Sequence, residues 1–154
     1  MIRRAENKDI DRINELLFQV QKVHSDKRPD IFKAGEKKYT TDELKEIIAD
    51  DNRPIYVYVE NEKILGYSFC IYQIQDETPQ LHKRKTLYID DLCVDKDSRG
   101  KHIGTLLYDF IVKTAKENGC DSITLNVWAL NDSARAFYEK MGLKPLKTTM
   151  ENVL

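Results

Sequence analysis

The segment at residues 95–105 has the sequence Asp95-Lys96-Asp97-Ser98-Arg99-Gly100-Lys101-His102-Ile103-Gly104-Thr105. It lies between an apolar run over 86–94, which predicts a strand, and an amphipathic pattern from Ile103 to Ala115, which predicts a helix. The backbone N–H groups at the start of a helix are unpaired and lie at the positive end of the helix dipole. A glycine-containing loop at this place, with Arg99 and Lys101, therefore predicts a phosphate-binding site.

Two common phosphate-binding motifs are absent from this segment. The P-loop motif GxxxxGK[ST] does not fit the spacing of Gly100 and Gly104, and the dinucleotide motif GxGxxG does not occur. On this segment alone, the alternative is a polar loop whose glycine merely precedes a helix.

The hydrophobic pattern outside the segment predicts a mixed α+β fold, with a mixed sheet and helices on its faces. Helices are predicted from the cap Asn7 to about His24, from the capping box Thr40–Glu43 to Ile48, from Ile103 to the stop at Asn118-Gly119, and from Asn131 to Gly142. Strands are predicted at 55–59, 64–74, 86–94, 123–128 and about 144–150, with Asn61-Glu62 as a hairpin turn.

Length and composition predict one globular domain over residues 1–154. The 25 Lys and Arg against 26 Asp and Glu provide no field that would attract nucleic acid or an anionic membrane, so neither is an expected partner. No apolar run reaches the ~20 residues of a membrane span, and no signal peptide is expected. The three cysteines form neither a disulfide framework nor a metal motif, which predicts a reducing, cytoplasmic setting.

Three motifs in sequence order resemble those of the GNAT acetyltransferases. The first is the strand end Leu92-Cys93-Val94, and the second is the loop Arg99-Gly100-Lys101-His102-Ile103-Gly104, similar to the acyl-CoA loop of the family. The third consists of Asn131, Ala134, Tyr138, Gly142 and Leu143. The resemblance implies a mostly antiparallel sheet that is splayed at an acetyl-CoA site, with acetyl-CoA as co-substrate and no metal.

The resemblance also implies the residues that contact acetyl-CoA: Leu92, Cys93, Val94, Arg99, Gly100, Lys101, His102, Ile103, Gly104, Thr105, Asn131, Ala134 and Tyr138. A backbone N–H at Cys93 or Val94 would polarise the thioester carbonyl. His102 departs from the family pattern, which has glycine there, and its Cβ restricts the backbone. We expect its imidazole to point outward, with contact to a phosphate as the alternative.

The implied reaction is direct attack of a primary amine on acetyl-CoA, and two residues are expected to move protons. Tyr138 corresponds to the family tyrosine that protonates the leaving thiolate, although an aromatic core residue is the alternative. Asp90 resembles the general base of polyamine-type members, and a bulge would be needed for Asp90 and Asp91 to face one side. Ordered water or His24 is the alternative base, and two solvated strand-end charges are the structural alternative.

The acceptor is expected to contact Asp91, His24, Phe32 and Trp128. A polyamine, another small amine or a peptide amine all fit these residues, because the family builds its acceptor pocket from variable loops. Family members are often dimers, so a homodimer is left open. A non-catalytic acyl-CoA-binding module that regulates a partner is the alternative function.

Overall fold

The computed structural model describes residues 1–154 and contains one open five-stranded sheet. The strands are β1 (Ile2–Arg4), β2 (Ile55–Glu60), β3 (Lys63–Gln75), β4 (Arg84–Val94) and β5 (Ser122–Leu125), and they lie in the order β1-β2-β3-β4-β5. The first four strands are antiparallel to their neighbours, and β5 runs parallel to β4. The predicted mixed, mostly antiparallel sheet is thus confirmed.

Four helices cover the sheet: α1 (Ile10–Lys27), α2 (Thr41–Ala49), α3 (Ile103–Glu117) and α4 (Asp132–Lys140). On one face, α1 and α2 bury Ile13, Leu17 and Leu44 against the sheet. On the other face, α3 buries Ile111 against Leu87 of β4, and α4 packs at the margin of the same cluster. None of the helices combines the length and apolar character that crossing a bilayer requires.

The local signals for turns and caps are confirmed. Asn61 and Glu62 both have positive φ, 48° and 62°, as the turn of a two-residue hairpin requires. The Thr40 side chain accepts a hydrogen bond from the Glu43 N–H at 3.1 Å and begins α2.

The predictions for the two ends of the chain are wrong in part. Asn7 does not cap α1, because residues Asn7–Asp9 form a 3₁₀ turn before it and the Asp9 carboxylate accepts the Glu6 N–H at 2.8 Å. The sequence did not predict strand β1, because its 3 residues are too few to show the alternation typical of a strand. The strand predicted at 144–150 is absent, since that segment pairs with no neighbour and Leu146 is 70% exposed.

A β-bulge in β4 determines the shape of the sheet next to β5. Phe69 of β3 pairs with Asp91, whereas Cys70 pairs with Ile89, so Asp90 is the extra residue of the bulge. The pairing of β4 with β5 ends at Ile89 and Leu125. Residues 90–94 of β4 therefore have a strand partner only on the β3 side, and the sheet opens between β4 and β5.

Helix α3 approaches β3 closely at Gly66. A Cβ at Gly66 would lie 2.8 Å from the Cys93 carbonyl oxygen and 3.2 Å from side-chain atoms of Ile103 and Leu107. The absence of a side chain at Gly66 therefore sets how deeply the first turns of α3 settle on the sheet.

We predict that Gly66→Ala lowers the free energy of unfolding by about 1–3 kcal/mol, because the added methyl group forces strand and helix apart. Gly119→Asn is the matched control: its site is open, and Asn tolerates the left-handed φ of +68° found there. Urea denaturation of both variants measures the difference. Equal stabilities would contradict the close approach of α3 to β3.

Candidate active site

The loop between β4 and α3 is anchored to α1 through Asp95. The buried Asp95 carboxylate accepts hydrogen bonds from the Arg12 guanidinium and, at 3.1 Å, from the Gln19 amide. Burial alone would raise the pKa of Asp95, but the bonds from Gln19 and Arg12 outweigh it and keep this pKa below its usual value. The Gln19 side-chain oxygen also accepts a hydrogen bond from the Lys96 N–H at 3.1 Å. One side chain of α1 therefore binds both the Asp95 carboxylate and the backbone of the next residue.

After this anchor, the chain presents a row of free backbone donors. The first hydrogen bond of α3 runs from the Leu106 N–H to the His102 carbonyl, and the N–H groups of residues 99–105 have no acceptor within the chain. Arg99 and Lys101 are exposed beside them. Unpaired amides at a helix start together with two cations form a site suited to phosphate oxygens.

Two residues of this loop have particular backbone requirements. His102 is exposed and adopts the left-handed backbone conformation, with φ 60° and ψ 16°. Glycine adopts this conformation without strain, whereas a residue with a Cβ does so less readily. A Cβ at Gly104 would lie 3.3 Å from the Phe137 ring of α4. Gly104 therefore permits contact between α3 and α4, in addition to any approach by a ligand.

The register of β4 decides which backbone N–H faces the opening. Asp95 donates to the Leu65 carbonyl of β3, and antiparallel pairing alternates, so the Cys93 N–H also points toward β3. The Cys93 thiol is buried beside the Leu16 carbonyl of α1. Of the two predicted donors, Cys93 therefore has its N–H and its side chain directed away from the open side. The Val94 N–H points toward the open side.

The bulge brings Asp90 and Asp91 to the same face of the sheet. One Asp90 oxygen accepts a hydrogen bond from the Tyr39 hydroxyl, and the other pairs with the Lys38 ammonium at 2.9 Å. Asp91 accepts a hydrogen bond from the buried Tyr67 hydroxyl at 2.7 Å. Asp90 is therefore charge-paired, whereas Asp91 has a neutral hydroxyl as its side-chain partner.

These different surroundings give Asp91 an unusual acidity. Burial raises the pKa of Asp91 to about 6, although the Tyr67 hydrogen bond and the Lys38 charge act in the opposite direction. Burial, and next to it the charge of Asp91, raise the pKa of Tyr138 above its usual value, so Tyr138 stays protonated at neutral pH. The charge of Asp91 therefore acts on the Tyr138 hydroxyl.

The rings of His24, Phe32 and Trp128 form an aromatic cluster. His24 stacks on Phe32 with ring centroids 4.7 Å apart, and Phe32 meets Trp128 edge to face at 5.0 Å. Burial and the charges of Lys38 and Lys27 lower the pKa of His24. The structure thus brings together three side chains that the sequence singled out from the α1 end, the following loop and the segment after β5.

Helix α4 positions Tyr138 through its cap. The Asn131 side chain accepts the Ala134 N–H at 3.4 Å and begins the helix. The ring of Tyr138 contacts that of Phe137 at 5.2 Å, and Phe137 in turn packs at Gly104. Tyr138 is therefore held relative to the loop over 99–105 by packing between two helices.

Comparison with known proteins agrees with this geometry. The family model for the acetyltransferase (GNAT) family matches residues 18–143. The chain belongs to the GNAT acetyltransferase family. The prediction of a GNAT member is thereby confirmed.

Individual GNAT relatives differ in how much they share with this chain. An uncharacterized N-acetyltransferase of Methanocaldococcus jannaschii is 27% identical over 143 residues, which is 93% of this chain and 60% of that protein. This chain thus spans less than two thirds of the length of that relative. The crystal structure of a mutant of the BH1408 protein from Bacillus halodurans is 35% identical, with a TM-score of 0.97 over 100% of this chain and 99% of its own. An aminoglycoside N-acetyltransferase in complex with CoA has the same fold, with a TM-score of 0.74 over 100% of this chain and 98% of its own at 10% identity.

Three residues of this GNAT site were missed from the sequence: Lys38, Tyr67 and Arg12. Tyr67 is separated from its partner Asp91 by a long loop and a bulge, so no turn rule fixes their register. Lys38 lies in a loop without periodicity. Of these three residues, only Arg12 gave a signal in the sequence, as a basic residue within an amphipathic helix.

We predict that His102→Val lowers the free energy of unfolding by about 1–2 kcal/mol, because a β-branched residue is strained at φ 60°. His102→Asn, the matched control, should stay within about 0.5 kcal/mol of the parent protein. Thermal denaturation without ligand gives both values. If the valine variant is as stable as the asparagine variant, the left-handed conformation is not required at this position.

Proposed function

We propose that this chain transfers the acetyl group of acetyl-CoA to a primary amine of a small amine, a polyamine or a peptide. The observation that carries the proposal is the opening beyond the β4 bulge. The Val94 N–H and the free amides of residues 99–105 border it on one side. Asp91 lies in the stretch of β4 that follows the bulge, and we assign Tyr138, whose pKa is raised in part by the charge of Asp91, to the same opening. Phosphate binding, carbonyl polarisation and proton transfer thus have candidate groups around one opening.

The residues present fit acetyl-CoA. Its pyrophosphate requires several donors at one place, and the amides of 99–105 with the exposed Arg99 and Lys101 supply them. The Val94 N–H is a donor for the thioester carbonyl. Acetyl-CoA supplies the activated acetyl group. A neighbour of the same fold in complex with CoA supports the choice of this co-substrate.

For proton transfer we assign Asp91, rather than Asp90, as the base. A base must be free to accept a proton, and both Asp90 oxygens are already bonded to Lys38 and Tyr39. Asp91 has a pKa of about 6, so it is ionised at neutral pH and still accepts a proton far more readily than an ordinary aspartate. Tyr138, protonated at the same pH, is the donor to the leaving thiolate.

The acceptor side suits a cationic amine. The Asp90 side chain is 12% exposed and already pairs with one ammonium group, that of Lys38. We assign the rings of Phe32 and Trp128 to the acceptor side as well, since aromatic rings attract ammonium groups. Asp90 and the aromatic cluster therefore serve in recognition, while Asp91 serves in chemistry.

The proposal includes one acetyltransferase domain over residues 1–154, a reducing cytoplasmic setting and a homodimer as the assembly to test first. The three cysteines are free, which agrees with a reducing setting. Sedimentation equilibrium of the full chain measures the assembly directly.

The test of the activity is CoA release with a panel of polyamines, small amines and peptides. We predict that Tyr138→Phe lowers kcat by about 10²-fold or more, because the phenol acts mainly in the transition state. Its affinity for acetyl-CoA, measured by calorimetry, should stay unchanged. Acetyl-CoA binding without CoA release from any acceptor would instead favour the non-catalytic binding module, and absence of binding would refute both functions.

The second prediction concerns pH. A carboxyl group with a pKa of about 6 gains its basic form as the pH rises through 6, so kcat/KM for the acceptor should show an acid limb there. Asp91→Asn should remove that limb and lower kcat/KM by about 10²-fold or more. Asp90→Asn, the isosteric control on the adjacent residue, should keep the limb and mainly raise KM. The opposite pattern would return the role of base to Asp90.

A further inference from the structure

The proposed mechanism leaves Lys38 without a role, although its amine lies in the acceptor site. The Lys38 Nζ is 2.9 Å from an Asp90 carboxylate oxygen and 3.2 Å from the Asp90 backbone carbonyl. Its side chain is 44% exposed, whereas that of Asp90 is 12% exposed. A primary amine of the chain itself thus rests against the carboxylate that is proposed to recognise the acceptor amine.

The neighbouring residue fixes this position. The Tyr39 hydroxyl donates to the second Asp90 oxygen, and the Tyr39 ring stacks on Phe69 of β3 with centroids 5.4 Å apart. Because Phe69 pairs with Asp91, the loop that carries Lys38 is held directly at the bulge. An amine held in place in this way reacts without the entropy loss of a second molecule.

The ionic contacts of Lys38 distinguish it from the neighbouring lysine, Lys37. Asp90 contacts it directly, and its positive charge acts on the pKa values of both Asp91 and His24. Lys37, its neighbour in sequence, points away and donates to the Asn14 side chain of α1 at 2.5 Å. Of these two consecutive lysines, only Lys38 contacts the bulge.

We propose that Lys38 is an acetylation site that the protein modifies on its own chain. The inference rests on the proposed function. The Lys38 ammonium loses one proton to the Asp91 carboxylate, and Asp91 later releases this proton to solvent. A C–N bond then forms between Nζ and the acetyl carbonyl carbon, and the thioester C–S bond breaks. Nζ loses its second proton to solvent as the amide forms, and the CoA thiolate takes up a proton from Tyr138, which regains one from solvent.

Acetylation would change the site as well as the lysine. An N-acetyl-lysine carries no charge, so the ion pair with Asp90 is lost. The freed Asp90 carboxylate is then available to an external ammonium group. Self-acetylation therefore converts a site filled by its own lysine into one that binds a cationic acceptor more tightly.

The experiment incubates the purified full chain with acetyl-CoA and follows its intact mass, then locates the modification by tandem mass spectrometry. We expect one acetyl group, on Lys38, in the parent protein and in Lys37→Arg. Lys38→Arg keeps the charge but has no acceptor amine, and should gain none. Dilution of the protein over about a hundredfold range should leave the first-order rate constant unchanged, since the reaction lies within one chain.

Several results would overturn the inference. Equal labelling of Lys37 and Lys38, or the same labelling of heat-denatured protein, would indicate non-enzymatic chemistry. A rate that rises with protein concentration would indicate transfer between chains. CoA release with external amines while Lys38 stays unmodified would refute this inference and leave the proposed function intact, whereas absence of both reactions would refute the two together.

The KM for a cationic acceptor tests whether acetylation of Lys38 changes the acceptor site. The completely acetylated parent protein should have a KM for a cationic acceptor that is several-fold lower than the KM of Lys38→Arg. The arginine variant retains the ion pair with Asp90. An unchanged KM would show that the Lys38 charge does not compete with the acceptor, and would refute the proposed consequence of modification.

Discussion

The extra residue at Asp90 in β4 is the constraint on which the rest of the site depends. Regular pairing with β3 would place two successive carboxylates on opposite faces of the sheet. The bulge instead gives Asp90 and Asp91 partners on one face, Tyr39 and Tyr67. Pairing with β5 ends at Ile89, directly before the bulge. One local irregularity therefore opens the sheet, leaves the Val94 N–H free and gathers the acidic side chains at the opening.

Helix α1 connects the two halves of the site. Arg12 in its first turn and Gln19 near its middle hold Asp95, and through it the loop that presents the free amides. At its C-terminal end, His24 joins the aromatic cluster, and the Lys27 ammonium donates to the Leu130 carbonyl at 2.6 Å. Helix α1 therefore contacts both the loop over 99–105, through Asp95, and the aromatic cluster, through His24. The buried Asp95 carboxylate stabilises this arrangement only while both partners remain, since an unpaired buried charge is costly.

The two adjacent aspartates show how the surroundings give one chemical group two different acidities and sets of partners. Asp90 has a cation and a hydroxyl as partners, whereas Asp91 is enclosed near Tyr67 and has its pKa raised to about 6 by burial. A charge that binds an ammonium group also makes that group harder to deprotonate, so recognition and proton removal are best served by separate residues. The bulge makes this separation feasible within two positions of one strand.

The sequence by itself determined the four helices, the strands β2 to β5, the hairpin turn at Asn61-Glu62 and the cap at Thr40, because each depends on residues close together in the chain. It also determined the family, through three motifs in the right order. Only the tertiary structure decided that Asp90 is paired with Lys38, that Asp91 contacts Tyr67, and that the Cys93 N–H points away from the opening. These facts depend on the register of β4 against β3 and on a loop that folds back from α1. Neither is set by local sequence, since the long connection between β3 and β4 permits any register and burial against distant elements selects one.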